Sequence, residues 1–248
     1  MTTLARIFRH PIKAHGREEL AAADLRPGEC LPWDRHWAVA HAASHFDAAE
    51  PMWMPCANFQ RGARTQALMA MTARWDAELG MMTLRHPELG EILFDPRTDG
   101  ARFLDWVAPI SPEDRFRPVA LVQGPRGMTD SEFPSISIKN LASNAALSAQ
   151  MGMDLSIHRG RGHLWLDDLP AWAENDWIGR QIRIGDAVLE VVERIGRCKA
   201  TTANPETGLV DADTLRALRD LLGRQDFGVY AVVKRGGTIR PGDKVEPA

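Results

Sequence analysis

The residues of this chain best suited to chemistry lie between Gly196 and Gly208, where Cys198 stands between Arg197 and Lys199. Two fixed positive charges beside a thiol favour the thiolate. Thr201, Thr202, Asn204 and Thr207 crowd polar side chains into the same stretch, which turns at Asn204-Pro205 and closes at Gly208. A thiolate in such a loop suits a soft-metal ligand or a nucleophile. A half-buried structural thiol beside ordinary turn residues accounts for the same letters. The other pair with suggestive spacing, His41 and His45, has no HExxH around it and no third ligand at a useful interval. It also follows a strand instead of opening a helix, so it is read as no metal site. Cys30, Cys56 and Cys198 form no CxxC pair, and three scattered cysteines are no disulfide framework, which suits a reducing compartment.

The elements that must present Cys198 are mostly strands. A β-branched run from Val188 to Ile195 leads into it, so the cysteine is expected where strand gives way to loop. With Ile182–Ile184 this run reads as a hairpin turning at Gly185-Asp186. Further strands are expected at 4–9, 117–124, 135–138 and 227–233, with a turn and strand closing the chain at 238–245. Trp37 and Val39 alternate with smaller residues as in a half-buried strand. Between Arg61 and Asp95 the apolar pattern settles on no helical period, and the region is read as a meander of strands with methionines as core filler. Two helices are expected: one capped by Asn140 and stopped by Gly152, and one from Asp211/Asp213 to Gly223 with Leu215, Leu218 and Leu222 on a face. The stretch 99–117, with Pro109, Pro112 and many charges, is the expected domain boundary. The fold class is thus α+β, mostly β: a smaller β-rich domain over 1–109, then a β-barrel-like domain over 110–248.

Composition narrows the partners. Of 248 residues 44% are hydrophobic, ample for a core, and 30 basic against 33 acidic residues leave a net charge of −3 with no basic run. That argues against a nucleic-acid surface. An anionic ligand would be held by a few placed cations. No stretch approaches the ~20 apolar residues that span a bilayer, and the N-terminus lacks a long apolar core, so the expectation is a cytoplasmic protein with no membrane partner.

The stretch around Cys198 resembles the signature of the MOSC domain, the C-terminal module of molybdenum-cofactor sulfurases. It is most similar to the branch holding the mitochondrial amidoxime-reducing component and its bacterial relatives: Arg-Cys, a Thr pair, then (Asp/Asn)-Pro-x-Thr-Gly. Four more segments are similar to motifs of that family. His10-Pro11-Ile12-Lys13-Ala14 resembles (Tyr/Phe)-Pro-Val-Lys-Ser, and Asp34-Arg35-His36-Trp37 resembles Asp-Arg-x-Trp. Arg159–Leu164 resembles Arg-Phe-Arg-(Gly/Pro)-Asn-(Leu/Ile), and Phe227–Tyr230 resembles Phe-Gly-x-Tyr. The resemblance implies Cys198 as protein ligand to molybdenum and Lys13, Arg35 and Arg161 on the phosphate end of the molybdenum cofactor (Mo-molybdopterin). It also implies Arg197 supporting the thiolate, Tyr230 at the cofactor, and Ser131 in a loop that touches it. Read alone, Lys13 is a solvated turn lysine and Ser131 a plain loop serine, while Arg35 is equally a surface partner of Asp34 or a binding residue and Tyr230 equally a core aromatic or a cofactor contact. His10, Ala14, Gly160 and His163 depart from the motifs, replacing an aromatic, Ser, Phe and Asn. Ala14 removes a hydroxyl, and His163, on its own a structural histidine, is bulkier than Asn and titrates near neutral pH.

The activity this implies is reduction of small N-hydroxylated or N-oxide substrates by oxygen-atom transfer. With no ferredoxin-like cysteine cluster and no Rossmann fingerprint, electrons would come from a separate protein of ferredoxin, cytochrome b5 or flavoprotein type. The alternatives are a cofactor carrier or sulfur-transfer module without turnover, and a β-barrel binding protein without metal.

Overall fold

The computed structural model describes residues 1–248. In chain order the strands are β1 (Thr3–Arg9), β2 (Glu18–Leu20), β3 (Ala23–Leu25), β4 (Trp37–His41), β5 (Thr72–Asp76), β6 (Met81–His86) and β7 (Gly90–Phe94). Helix α1 (Gly100–Val107) precedes β8 (Pro118–Gln123), β9 (Ile136–Asn140), α2 (Leu141–Met151), β10 (Leu164–Asp167), β11 (Gln181–Ile184) and β12 (Ala187–Gly196). The chain ends with α3 (Thr214–Leu222), β13 (Asp226–Arg235), β14 (Gly237–Ile239) and β15 (Val245–Pro247). The protein is sheet-rich with few helices, and none of them is long and apolar enough to cross a membrane.

Eight strands form the main sheet in the order β15-β11-β12-β13-β9-β10-β1-β2. All neighbours are antiparallel except β9 and β10, whose parallel pairing is made possible by the crossover through α2. The ends of the order approach each other: Thr3 bridges Lys244, and Val245 N–H donates to Thr2 O at 2.9 Å. The barrel-like expectation takes this form, a sheet bridged near its ends and not a cylinder of fully paired strands. Its core joins Leu4, Ile7, Leu25 and Leu31 to a set running from Ile136 to Val245. Each such side chain is worth about 1.5–3 kcal/mol on burial.

A second core lies over the meander β5-β6-β7 and the ribbon β4-β8, and includes Ile12, Trp37, Trp75, Phe94 and Phe103. β4 is buried at every position and not on one face only, because Trp37 and Val39 enter this core while Ala38 and Ala40 enter a smaller one with Phe59 and Met128. Within 61–95 the strand expectation holds from 72 onward, whereas Gln66–Ala70 is a 3-10 turn. The stretch 99–117 supplies a third helix: in α1, Phe103 and Val107 share one face at i, i+4 spacing, and Phe103 stacks on Phe94 at 5.3 Å. Both helices expected from sequence form with their caps; the Asn140 side chain accepts from Ala142 N–H, and Gly152 ends α2 at φ 62°.

Candidate functional site

A cavity of about 260 Å³ opens where distant pieces of chain converge. Lys13 comes from the turn after β1, Arg35 from the turn before β4, Arg161 from the turn before β10, and Arg197 and Cys198 from the end of β12. Tyr230 reaches it from β13. Six of the seven residues singled out in the sequence therefore line one cavity. Ser131 does not: it is buried, with its Oγ 2.8 Å from Phe133 O and 2.7 Å from Ser135 Oγ, and its neighbours Thr129, Asp130 and Ser135 take the wall.

Cys198 follows β12 as its sequence suggests, in extended conformation and exposed. Its polar neighbours build the loop and leave the sulfur free. Thr201 N–H and Oγ1–H donate to Cys198 O at 3.1 and 3.0 Å, and Asn204 Oδ1 accepts from Glu206 N–H at 2.8 Å. Gly208 sits at φ 73° with the backbone of Ala67 so near that a Cβ would lie 2.7 Å from its Cα. The far end of the loop is tied down by Arg17, which donates to Met69 O, Met71 O and Pro205 O at 3.1–3.2 Å and to Glu206.

The cations around the cavity are paired unevenly. Lys13 is 4% exposed and donates to Met128 O at 2.7 Å and Asp130 Oδ1 at 2.5 Å, so it is no solvated turn lysine. Arg35 does pair with Asp34, at 2.5 Å, but inside the protein. Burial opposes ionisation of Asp34, yet Arg35 and the nearby histidines overcome it and hold the carboxyl well below its usual range. Asp130, open to the cavity, is likewise lowered: crowding opposes its charge, and Lys13 and Arg35 prevail. Arg161 has no such support. Its guanidinium makes no hydrogen bond or ion pair to protein and its Nη2 is shut away from solvent, while burial, then repulsion from Arg35, brings its pKa down to about 9. Arg197 Nη2 donates to Gly160 O at 2.8 Å and Arg159 Nη2 meets Asp211 at 2.6 Å, yet the Nε atom of each lacks an acceptor. Asp130 is the one carboxylate on a wall bearing Lys13, Arg35, Arg61, Arg159, Arg161 and Arg197. Enclosed cations without partners are costly unless an anion completes them.

Backbone strain marks the same place. Ala14, Arg35 and Arg161, all lining the cavity, have φ of 64°, 48° and 43°, a region that costs non-glycine residues on the order of 1–3 kcal/mol each. Tyr230 packs edge-on to Phe133 at 6.3 Å, and burial followed by the charge of Asp130 pushes its phenol up to about 12. Arg159 was within reach of the sequence, as the first arginine of the motif that carries Arg161. Cys56 and Arg61, whose Nη1 lies 3.8 Å from Cys56 Sγ, enter the wall from a segment with no motif. His41 instead hydrogen-bonds Ala57 O at 2.7 Å through Nε2.

Residues 130–246 match the family described as the MOSC domain. Among curated proteins, the chain is 24% identical over 292 aligned positions to mitochondrial amidoxime-reducing component 1 of Danio rerio, covering 98% of this chain and 83% of that one. The human protein of the same name is 30% identical over 116 positions, 42% of this chain and 34% of its own length. A molybdenum cofactor sulfurase of Caenorhabditis briggsae is 32% identical over 48% of this chain and 16% of its own. Among solved structures, the YUAD protein of Bacillus subtilis superposes with a TM-score of 0.47 at 13% identity, covering 99% of this chain and 94% of that one.

Proposed function

We propose, for a chain that carries a MOSC domain and is homologous to the mitochondrial amidoxime-reducing components, that it is a molybdenum-cofactor-dependent reductase of small N-hydroxylated or N-oxide compounds. The observation that carries this reading is Arg161, a guanidinium with no protein acceptor in the cavity that also bears the exposed thiol of Cys198. The donor set fits the group. A sulfur ligand suits a soft metal, and clustered guanidinium and ammonium groups suit a phosphate. Cys198 would hold the metal, and Lys13, Arg35 and Arg161, reinforced by Arg159 and Arg197, the phosphate. When bound, the cofactor supplies a two-electron couple for oxygen-atom transfer, so that R–NH–OH, two electrons and two protons give R–NH2 and water.

The chain's own residues have other work. Tyr230 keeps its phenol proton at neutral pH and can donate a hydrogen bond into the cavity, as can Ser137. Ala14 offers only a methyl to the wall. Electrons would come from a separate protein of ferredoxin, cytochrome b5 or flavoprotein type. The chain would divide near residue 109, with the 1–109 segment lending β1 and β2 to the main sheet, and would work in the cytoplasm.

The test is expression in a host that makes the cofactor, followed by metal analysis and reduction of an amidoxime with an artificial electron donor. Wild-type protein is expected to carry molybdenum and turn over, and Cys198→Ser to lose the metal. Full molybdenum retention in that variant removes Cys198 as ligand, and loaded protein without turnover makes it a carrier.

A further inference from the structure

Two residues that depart from the family motifs, His10 and His163, lie 153 positions apart and meet on one carboxylate. Asp34 Oδ1 accepts the His10 backbone N–H at 2.8 Å and faces His10 Nδ1 at 3.5 Å; Asp34 Oδ2 lies 3.0 Å from His163 Nε2 and 2.5 Å from Arg35 Nη1. All three of His10, Asp34 and His163 are at most 2% exposed, and the two imidazole centroids are 5.6 Å apart. Arg35 and His163 line the cavity, so the cluster sits directly behind its wall.

Hydrogen bonding fixes the state of His163. Ser137 N–H, an obligatory donor, points at His163 Nδ1 at 3.0 Å, and Ser137 Oγ accepts the His163 backbone N–H at 2.9 Å. Nδ1 must therefore keep its lone pair, which places the ring proton on Nε2, donating to Asp34. Arg35 Nη1, 2.7 Å from Nε2, converges as a second donor on the same Asp34 oxygen. Three ligand-type atoms within 4.8 Å could suggest a cation site. The occupied Nδ1, the proton on Nε2 and the guanidinium against Asp34 exclude it. A second proton on His163 would break the Ser137 bond, so this ring stays neutral. His10 is different: its Nδ1 is buried, meets no donor and faces a carboxylate oxygen, so a second proton on this ring breaks no hydrogen bond there.

We propose that the His10 imidazole is a proton-accepting site coupled through Asp34 and Arg35 to the cavity, taking up a proton when an anion binds there and releasing it when the anion leaves. The charged and titratable groups facing His10 are Asp34 and Arg35 from the turn before β4, and Arg161 and His163 from the turn before β10. Without an anion, the positive charges of Arg35 and Arg161 exceed the single negative charge of Asp34, and a protonated His10 would add to the excess. An anion on Arg161 cancels that excess, and the protonated ring then faces the Asp34 carboxylate as an ion pair. In keeping with this geometry, His10 is held well below its ordinary pKa by burial first and by Arg161 next, with Asp34 pulling the other way. By linkage, anion binding must then tighten as pH falls.

This inference rests on the anion-binding half of the proposed function. Sulfate, which stays a dianion across the range, is the probe, titrated into cofactor-free protein in buffers of different ionisation enthalpy so that calorimetry counts the protons. Wild type is expected to take up protons with sulfate, its affinity rising about tenfold from about pH 7.5 to about pH 5.5. His10→Phe, or His10→Gln should the first not fold, should bind sulfate with no proton uptake and a nearly flat profile. Imidazole nitrogen NMR of the wild type should show the His10 ring gaining a proton on sulfate addition. Sulfate bound without proton uptake, uptake that survives in either His10 variant, or an unchanged His10 spectrum overturns the proposal alone. No sulfate binding at all overturns it together with the anion site, while molybdenum content still reports on Cys198.

Discussion

An arginine side chain without an acceptor is most informative when its backbone is strained as well. Arg161 has both properties, with Nη2 unpartnered and φ at 43°. Neither adds to stability, so both are tolerated for what the cavity can hold. Arg161→Met should therefore raise the stability of ligand-free protein by about 1–2 kcal/mol while abolishing sulfate binding. Calorimetric melting and titration of the same sample check both, and a variant that melts lower in the absence of ligand contradicts the account. At this scale the sequence was legible wherever a motif carried the residue: Cys198, Arg161 and Lys13 could be placed together because their neighbours repeat a recognisable pattern. Asp130 could not, since its role depends on the Lys13 ammonium 117 positions earlier. Ser131 is the reverse case: its neighbours Thr129 and Asp130 line the cavity, while its own hydroxyl is buried and turned to Phe133 O.

Elements set how firmly Cys198 is held. β12 ends at Gly196, and the following loop is pinned at its far end by one side chain, Arg17, to the turn that precedes β5. Replacing it leaves the Met69, Met71 and Pro205 carbonyls without their donor. Arg17→Met is expected to cost about 2 kcal/mol, and amide hydrogen exchange over 199–208 should speed up relative to β13. Exchange that rises equally everywhere would mean global destabilisation and not a released loop. Alternation and turn residues made most strands legible, including the β11-β12 hairpin that delivers the cysteine. β10 was not, because Leu164, Trp165 and Leu166 are all buried, and a short apolar run has no period. α1 was hidden by its eight-residue length and by the prolines just after it, although Phe103 and Val107 already lay at helical spacing.

Across the whole molecule, the cavity exists because β1 crosses from the first part of the chain to pair with β10, Leu4 with Leu166 and Ile7 with Leu164, and no local pattern specifies that pairing. The same convergence encloses His10, His15 and His163 and half-buries His158, all depressed chiefly by burial, His15 and His158 to about 4 from an ordinary 6.5. Below pH 6.5 the unfolded chain binds protons that these folded imidazoles refuse, so the unfolded state carries the greater number and stability must decline as pH falls. The decline runs from 6.5 down to about 4 for His15 and His158. Ligand-free protein should accordingly lose melting temperature steadily across that interval, and sulfate should soften the loss, because its charge lets His10 accept a proton in the folded state. Scanning calorimetry at several pH values with and without sulfate checks the sign: a melting temperature constant between pH 6.5 and 4 would show that the histidines are not enclosed as described.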